Sequence, residues 1–374
     1  MEEAFALAER GRGLTHPNPL VGAVLVNDDR VVGRGYHAGP GEPHAEVVAL
    51  SDAGPAAAGA TLYCTLEPCS HQGRTPPCAD AVVAAGVTRA VVALQDPNPL
   101  VDGRGLARLR EAGVAVDVGA ARWEARARAQ NAAFVKAAAM GLPLVTYKAA
   151  VSLDGKVAAA GGDARWISSL ESRRVAHGLR AAADAVIVGA GTVRRDDPEL
   201  TARLTEGRDP VRVIVSTDGV LPPGCKLLST ARETPTIVLA RRFSGGVRRT
   251  LESRGVETLE MGSGGLRGGL AQLADRGLLE VLCEGGPGLA GALLADDLVD
   301  RLVLFIAPLL IGRGAPDLLA VPAVDTVAGA RRLVNVAWEA IGDDLLLRAD
   351  LRTVDPVHAD HVAVGVGATE GTGR

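Results

Sequence analysis

Hydrophobic and polar positions along the first 120 residues alternate between short apolar runs and amphipathic stretches. The runs GAVLV, TLYCTLEP, RAVVAL and VAVDVG predict strands, and the stretches between them predict helices. A turn at residues 27–30 separates GAVLV from VVGRGYH and predicts a β-hairpin. Strands that alternate with helices of this length indicate a layered α/β domain with sites at the strand ends.

A second set of apolar runs begins near residue 143. These runs predict the strands PLVTYKAAV, ADAVIVGAG, VRVIVS, PTIVLA, LLEVLCEGG and RLVLFIAPLLIG. Most are continuous rather than alternating, which is typical of a sheet covered on both faces by helices. The stretches SLESRRVAHGLRAAA, GGLAQLADRG and PGLAGALLADD predict those helices.

The boundary between the two sets follows a predicted helix at about residues 123–140, where Gly141 and Pro143 interrupt the pattern. We therefore predict one α/β domain at residues 1–142 and another at 143–352. Residues 353–374 are rich in glycine and small side chains and are predicted to form a mobile tail. His358 and His361 in that tail are expected to be solvated rather than metal-binding.

Composition and charge limit the classes of partner that the chain is expected to bind. The 374 residues exceed one typical domain, and only 3% are aromatic. With a net charge of -4, the chain has neither the basic surface nor the stacking side chains that nucleic-acid binding requires. The N-terminal MEEAFALAERG lacks the apolar core of a signal peptide or membrane span. An odd number of cysteines, five, suits a reducing compartment. We expect a cytoplasmic protein that acts on a small molecule.

One segment carries the ligands of a metal site. PHAE contains His44 and Glu46, LEPC ends at Cys69, and SHQGRTPP leads to Cys78. Three ligands, His44, Cys69 and Cys78, leave a fourth zinc position where a water would be activated, as in the zinc deaminases. Eight residues separate the cysteines, where the usual pattern has two. The alternative is a surface histidine beside two buried cysteines.

Longer motifs resemble the family of bifunctional riboflavin-biosynthesis deaminase/reductases. They are HPNPLVGAVLV, GEPHAEV, PCSHQGRTPPC, DPNPLVDGRG, YKAAVSLDGKVA, WISS, GAGTVRRDDPELTAR, CEGGPGLAGALL and APLLIG. The resemblance extends to about residue 350 and implies a cytidine-deaminase-like α/β/α domain followed by a dihydrofolate-reductase-like α/β domain. It also implies two reactions: zinc-dependent deamination of 2,5-diamino-6-(5-phosphoribosylamino)pyrimidin-4-one to 5-amino-6-(5-phosphoribosylamino)uracil, then NADPH reduction of the ribosyl to the ribityl group.

In the first domain, Glu46 is expected to take a proton from the zinc-bound water and deliver protons to the ring nitrogen and the leaving ammonia. The resemblance implies further pocket residues that contact the base, ribose and phosphate. They are Asn18, His37, His71, Arg74, Thr75, Asp96 and Asn98. The alternative for Asn18 and Asn98 is a turn residue beside proline, and His16 is assigned only that role. Cys64 is expected to be a small buried residue.

The second domain lacks a GxGxxG motif after its first strand, which argues against a Rossmann fold. Its cofactor segments are predicted at GAGT and EGGPG, where glycines follow strands and can approach a phosphate of NADPH. The predicted cofactor residues are Gly189, Gly191, Thr192, Gly285 and Gly286. A simple tight turn is the alternative for each segment.

Substrate residues of the second domain come from the resemblance alone. They are Lys148, Ser168, Arg180, Arg203 and Glu284, with Asp196 as the catalytic residue. Arg180 and Arg203 would clamp a ribose phosphate, and a solvated loop is the alternative for Asp196. Ser216 and Thr217 stand where relatives commonly have Asp and Ser. The sequence therefore does not identify which residues bind the 2′-phosphate of NADPH. Arg241 and Arg242 are expected to be an exposed basic pair.

Two other functions fit parts of the pattern. One is a zinc deaminase of free nucleosides or bases fused to a dihydrofolate-reductase-like domain of other specificity, against which the long insert between Cys69 and Cys78 argues. The other is a non-catalytic zinc scaffold, which normally uses four protein ligands and gives no role to Glu46. The sequence is compatible with a homo-oligomer.

Overall fold

The computed structural model describes residues 1–70, 77–99, 101–164 and 167–351. Within these ranges the strands form one sheet of five and one of nine, where the second set of apolar runs predicts six strands. The predicted tail at 353–374, with His358 and His361, lies outside the described residues. In the described ranges, no helix combines the length and apolar character needed to cross a membrane.

The first sheet has the order β2-β1-β3-β4-β5. Its strands are β1 (Gly22–Asn27), β2 (Arg30–Tyr36), β3 (Thr61–Cys64), β4 (Arg89–Val92) and β5 (Ala115–Val118). The hairpin β1–β2 is antiparallel, as predicted, and β3, β4 and β5 run parallel. The helices are α1 (Glu2–Glu9), α2 (Ala45–Ala53), α3 (Cys78–Ala84), α4 (Arg104–Glu111), α5 (Ala121–Gln130) and α6 (Ala132–Met140).

Small residues bring the helices close to the first sheet. A Cβ at Gly22 of β1 would lie 1.9 Å from the carbonyl oxygen of Ala4 in α1. A Cβ at Gly35 of β2 would lie 2.2 Å from the carbonyl oxygen of Ala45, the first residue of α2. A side chain at either position would push a helix away. Gly22 therefore allows α1 to lie close to the sheet, and Gly35 does the same for the first turn of α2, which carries Glu46.

The single helix predicted at about residues 123–140 is two helices. α5 and α6 meet at Asn131, whose φ of -106° and ψ of 26° interrupt the helix. The Asn131 side chain accepts a hydrogen bond from Leu20 N at 2.7 Å and donates one to Leu20 O at 3.0 Å. This long-range contact accounts for the break, which the helical pattern of the sequence does not show.

The second sheet has the order β10-β9-β8-β7-β11-β6-β12-β14-β13. Its strands are β6 (Leu144–Ser152), β7 (Ala185–Gly189), β8 (Val211–Ser216), β9 (Thr236–Ala240), β10 (Glu257–Glu260), β11 (Glu280–Cys283), β12 (Arg301–Ala307), β13 (Val334–Ile341) and β14 (Asp344–Asp350). All are parallel from β10 to β12, whereas β14 and β13 pair antiparallel. The parallel part matches the continuous apolar runs.

Several elements of the second half were not predicted. These are β10, β13 and β14, together with α8 (Ala190–Asp196), α9 (Lys226–Ser229) and α10 (Val247–Ser253). β10 and β13 lie at the two edges of the sheet and carry many exposed side chains, so they lack the apolar signal of the central strands. The predicted helices are present. They are α7 (Leu170–Ala182), α11 (Gly265–Ala274) and α12 (Pro287–Ala295).

Candidate active sites

Three metal-ligating side chains meet beside the first sheet. His44 precedes α2 as its N-cap, Cys69 lies in the loop after β3, and Cys78 begins α3. His44 Nδ1 lies 3.1 Å from Cys78 Sγ and 3.6 Å from Cys69 Sγ. The three ligand atoms all lie within 4.8 Å of one another. The predicted zinc ligands are therefore brought together despite the long insert between the cysteines.

The donor set fits zinc. Zinc bonds of about 2.0–2.3 Å place tetrahedral ligand atoms on the order of 3.5 Å apart, close to the distances from His44 Nδ1 to the two sulfurs. One imidazole and two thiols are also the ligands of the zinc deaminases. In the described residues, this is the one group of three or more His, Cys, Asp or Glu that could hold a metal ion.

Glu46 lies beside the ligands but does not belong to their cluster. Its side chain is only 3% exposed in the first turn of α2. The helix begins at Ala45, because His44 has extended backbone and occupies the N-cap position. Burial raises the pKa of Glu46 to about 7. A carboxyl with that pKa can both accept and return a proton near neutral pH.

A cavity of about 210 Å³ opens next to this cluster. Its lining includes most of the residues predicted for the first site: Asn18, His37, His44, Glu46, Cys69, Asp96 and Asn98. Phe134 of α6 closes one wall. His71, Arg74 and Thr75 lie outside the described residues. Asn18 and Asn98 also lie in turns, as the alternative predicts. Asn18 N donates a hydrogen bond to Thr15 O, and Val101 N donates one to Asn98 O.

The Asn18 amide has a defined orientation. His37 Nδ1 lies 3.2 Å from the carbonyl oxygen of Pro43, so Nδ1 carries the proton and donates it. His37 Nε2 then accepts a hydrogen bond from Asn18 Nδ2 at 3.0 Å. Burial lowers the pKa of His37, which favours the neutral form of the ring. The amide oxygen of Asn18 is thereby left to accept a hydrogen bond from a ligand in the cavity.

Glu67 is a residue of this site that was not predicted. It is buried, and its carboxylate accepts hydrogen bonds from four backbone N–H groups at 2.8–3.2 Å. The donors are Asp96, Gly103, Gly105 and Leu106. Glu67 therefore holds the loop that presents Asp96 and Asn98 to the cavity. The signal in the sequence is a lone carboxylate between apolar residues in LEPC.

A second candidate site lies at the carboxyl ends of β6, β7 and β11. A cavity of about 190 Å³ there is lined by Lys148, Thr192, Asp196, Glu284, Gly285 and Gly286, among others. It shares Ala164, Arg195 and Asp196 with an outer groove that Arg180, Arg203 and Lys226 also line. Crevices at strand carboxyl ends are where α/β sheets bind ligands. The groove is lined by four cations and by the three carboxylates of Asp163, Asp196 and Asp197, which leaves a surplus of one positive charge.

Glu284 is the centre of this second site, and its side chain is 9% exposed. Arg180 Nε and Nη2 donate to its two oxygens at 2.5 and 2.9 Å, and Lys148 Nζ lies 3.3 Å away. Burial opposes ionisation, but Lys148 and Arg180 hold the pKa of Glu284 well below its usual range. Arg180 also donates to Thr201 O at 3.0 Å. One edge of the Arg180 guanidinium is thus occupied, whereas Arg203 is exposed and pairs with Glu199.

The two glycine segments meet at one hydrogen bond. Gly286 N donates to Thr192 Oγ1 at 3.3 Å, which joins the start of α12 to α8. Gly189 caps α8 and Gly191 lies inside it, so GAGT enters a helix rather than a loop. Among the described residues, the cavity lining includes Thr192, Gly285 and Gly286 but not Gly189, Gly191 or Ser168.

Asp196 is the last residue of α8 and lines both parts of the second site. Desolvation at the groove wall raises its pKa. Asp196 ends a helix rather than lying in a loop, but it is exposed to solvent, as the alternative expects. Ser216 ends β8, where its hydroxyl accepts a hydrogen bond from Gly219 N at 3.0 Å and supports a turn. Arg241 and Arg242 are both exposed, as predicted.

His177 on α7 is a second residue that was not predicted. It is 5% exposed, and burial together with the nearby charges of Arg180 and Arg203 lowers its pKa to about 4. Between pH 6.5 and 4, the unfolded chain therefore binds a proton at this position that the folded chain does not. The contribution of His177 to the free energy of unfolding is therefore complete above pH 6.5 and is lost as the pH falls from 6.5 to 4.

We predict that His177→Gln will flatten the pH dependence of unfolding. One proton corresponds to a slope of about 1.4 kcal/mol per pH unit at most. Urea unfolding of both chains at intervals from pH 7.5 to pH 4 measures the slope. An unchanged slope in the variant would mean that His177 is protonated in the folded chain.

Comparison with known proteins gives two family matches along the chain. Residues 1–94 match the family described as the cytidine and deoxycytidylate deaminase zinc-binding region. Residues 143–347 match the RibD C-terminal domain. The first match contains His44, Glu46, Cys69 and Cys78, and the second contains the Glu284 site.

Full-length relatives match both halves together. The riboflavin biosynthesis protein RibD of Aquifex aeolicus is 43% identical over 93% of this chain and 96% of the relative. The solved structure of Acinetobacter baumannii RibD has a TM-score of 0.85 and 38% identity, covering 93% of this chain and 97% of that one. A deaminase/reductase structure from Thermotoga maritima has a TM-score of 0.81 and 33% identity, covering 94% and 97%.

Proposed function

Since this chain belongs to the RibD family of bifunctional riboflavin-biosynthesis proteins, we propose that its two sites act on one phosphorylated pyrimidine in sequence. The predictions of a zinc-dependent deaminase and an NADPH-dependent reductase in riboflavin biosynthesis are confirmed. So are the predicted cytidine-deaminase-like and dihydrofolate-reductase-like fold classes. The Thermotoga relative is described as a diaminohydroxyphosphoribosylaminopyrimidine deaminase and 5-amino-6-(5-phosphoribosylamino)uracil reductase. We assign those two substrates to this chain.

The first reaction replaces the ring amino group with oxygen, consuming water and releasing ammonia. His44, Cys69 and Cys78 would hold the zinc ion, which when bound would supply Lewis-acid activation of the attacking water. Glu46 accepts one proton of that water at its carboxylate and delivers it to the ring nitrogen, then transfers the second proton of the same water to the leaving amino group, so that ammonia departs. Its raised pKa supports both directions of transfer. Burial of Glu46 excludes bulk water from the proton path.

Pocket residues orient the pyrimidine in this proposal. The amide oxygen of Asn18 accepts a hydrogen bond from the edge of the heterocycle, and the hydrogen bond from Asn18 Nδ2 to His37 Nε2 fixes the orientation of the amide. Asp96 and Asn98 contact the substrate from the loop that Glu67 holds. We also propose roles for His71, Arg74 and Thr75 in the base, ribose and phosphate contacts, on the basis of the family motif.

The second reaction reduces the ring-opened ribosylamine. A hydride adds to the sugar C1′ and a proton to the attached nitrogen, so that the C=N bond becomes CH–NH. NADPH supplies the hydride when bound. We propose that Thr192, Gly285 and Gly286 contact the cofactor, with Gly189 and Gly191 shaping the backbone beneath it. Asp196 supplies or positions the proton, and its raised pKa supports that role.

The phosphorylated sugar requires cations in the outer groove. We propose that Arg203, which is exposed there, contacts the phosphate directly. Lys148, Ser168, Arg180 and Glu284 complete the sugar site. Because Glu284 occupies one edge of Arg180, the free N–H groups of that guanidinium are what remain for the substrate. This refines the bidentate clamp expected from the sequence.

The observation that carries the proposal is a cluster of three zinc ligands beside a cavity that is lined by two of them, His44 and Cys69, and by the buried Glu46. Ammonia release by the purified chain tests the substrate class. The diaminopyrimidinone ribosylamine phosphate should be deaminated, whereas cytidine and guanine should not. Equal rates on cytidine would favour a nucleoside deaminase instead.

We further propose a domain boundary at residues 142 and 143 and a cytoplasmic location. The boundary is supported by the start of β6 at Leu144 and of the second family match at residue 143. The location is supported by five cysteines that form no disulfide.

A homo-oligomer is also proposed, through the edge strand β13. This strand has one neighbour, β14, and exposes Val334, Val336 and Trp338, the last by 57%. An exposed apolar edge pairs readily with a second copy. Light scattering should show a smaller mass for Trp338→Lys, while Leu153→Lys, an exposed residue off this strand, should keep the wild-type mass. An unchanged mass for Trp338→Lys would exclude this edge as the interface.

A further inference from the structure

The turn that carries Asn18 is attached to the reductase half of the chain. His16 Nδ1 lies 2.6 Å from Asp184 Oδ2, and the two side chains are 11% and 2% exposed. Asp184 directly precedes β7 in the nine-stranded sheet, whereas Asn18 lines the cavity beside the zinc ligands. A buried hydrogen bond between the halves therefore lies two residues from a proposed substrate contact.

Asp184 is a fixed anchor for this bond. The same Oδ2 accepts hydrogen bonds from Leu279 N at 2.9 Å and Glu280 N at 2.8 Å. Oδ1 accepts from Arg208 Nη2 at 2.6 Å. With donors on both oxygens, the carboxylate cannot rotate without losing several of them at once. The position of His16 is therefore set by backbone at the amino ends of β7 and β11.

Contacts on both sides of Asn18 restrict the turn. Pro17 packs against Gly277, where φ is +77° and a Cβ would lie 3.3 Å from three ring atoms of Pro17. Leu20 is held through its N–H and C=O by the Asn131 side chain. Asn18 lies between these anchors and bonds to His37. The reductase half supplies the restraint on one side of it, and the deaminase half supplies the other.

We propose that His16 and Asp184 are positioning residues for the deaminase, which lower its KM by holding Asn18 in its binding orientation. The inference rests on the proposed role of the first site and adds that the reductase half helps to build it. Without the bond to Asp184, the turn samples other conformations, and ordering it on binding reduces affinity. The zinc ligands and Glu46 lie on other segments, so turnover of bound substrate is unaffected.

Two variants at one position in the full-length chain separate hydrogen bonding from packing. His16→Leu keeps most of the side-chain bulk but removes the donor, whereas His16→Asn is smaller and keeps an N–H near the position of Nδ1. Deaminase kinetics with the diaminopyrimidinone ribosylamine phosphate give KM and kcat. We expect His16→Leu to raise KM about tenfold with kcat within about twofold, and His16→Asn to remain within about threefold of the wild-type KM.

Zinc content and NADPH-dependent reduction by the same samples report whether the chain is folded. A wild-type KM in His16→Leu overturns the proposal. So does an equal loss in both variants together with loss of zinc, which is the pattern of a purely structural residue. If His16→Leu does not accumulate, His16→Phe, which keeps a ring but has no donor, replaces it, and the same rise in KM is expected. Failure of the proposed function gives a different result, because the wild-type chain then releases no ammonia.

Discussion

Glu46→Gln is expected to abolish deamination while zinc content and NADPH-dependent reduction stay at wild-type levels. The glutamine keeps the volume of the buried side chain but cannot accept the proton of the attacking water. Loss of a general acid–base group lowers the rate by roughly 10²–10⁴-fold. Reduction of 5-amino-6-(5-phosphoribosylamino)uracil, supplied directly as the substrate, persists because its site lies on the other sheet.

Two further variants serve as controls for this result. Glu42→Gln changes an exposed carboxylate four residues earlier and should deaminate normally. Cys69→Ser removes a predicted ligand and provides the reference for zinc loss. Ammonia release and metal analysis are measured on all four chains. Deamination by Glu46→Gln within tenfold of wild type contradicts the proton-transfer role, and loss of zinc from it would make Glu46 a ligand.

Glu284→Gln is expected to have the largest effect on the second half. Glu284 is the shared partner of Lys148 and Arg180 in a buried site. Removing its charge leaves two cations without a counter-ion, which costs about 3–5 kcal/mol of unfolding free energy. Reduction should also be lost, because Lys148 and Arg180 no longer have fixed positions. Deamination in the same sample serves as an internal reference.

Urea unfolding measures the stability change. The control is Glu257→Gln, an exposed glutamate at the sheet edge that pairs with Arg276 and should change stability by less than about 0.5 kcal/mol. If Glu284→Gln unfolds at the wild-type urea concentration, the ion-pair cluster is solvated and its proposed role in the sugar site loses its basis.

The zinc site could be predicted because its chemistry lies in short motifs. His44 and Glu46 are two residues apart, and the prolines and cysteines of LEPC and TPPC mark the loop and helix that present the thiols. The continuous apolar runs predicted the parallel part of the second sheet for a similar reason. Each signal is local, so one sequence is sufficient to detect it.

Long-range contacts could not be predicted in this way. Glu67 acts through backbone amides 29 to 39 residues away, which carry no side-chain signal. Arg180 and Glu284 were both expected to contact substrate, but their pairing with each other depends on α7 packing beside β11. His16 was assigned to a turn, and its partner Asp184 lies 168 residues later. Nothing in the spacing of such residues indicates that they meet.

The order of the two reactions is the most direct test of the account. The purified chain is mixed with the diaminopyrimidinone ribosylamine phosphate, with and without NADPH, while ammonia and NADPH are followed together. Ammonia should form at the same rate in both samples, and NADPH should be consumed only after ammonia has begun to accumulate. NADPH consumption that precedes ammonia release, or ammonia release that requires NADPH, would contradict two separate sites acting in this order.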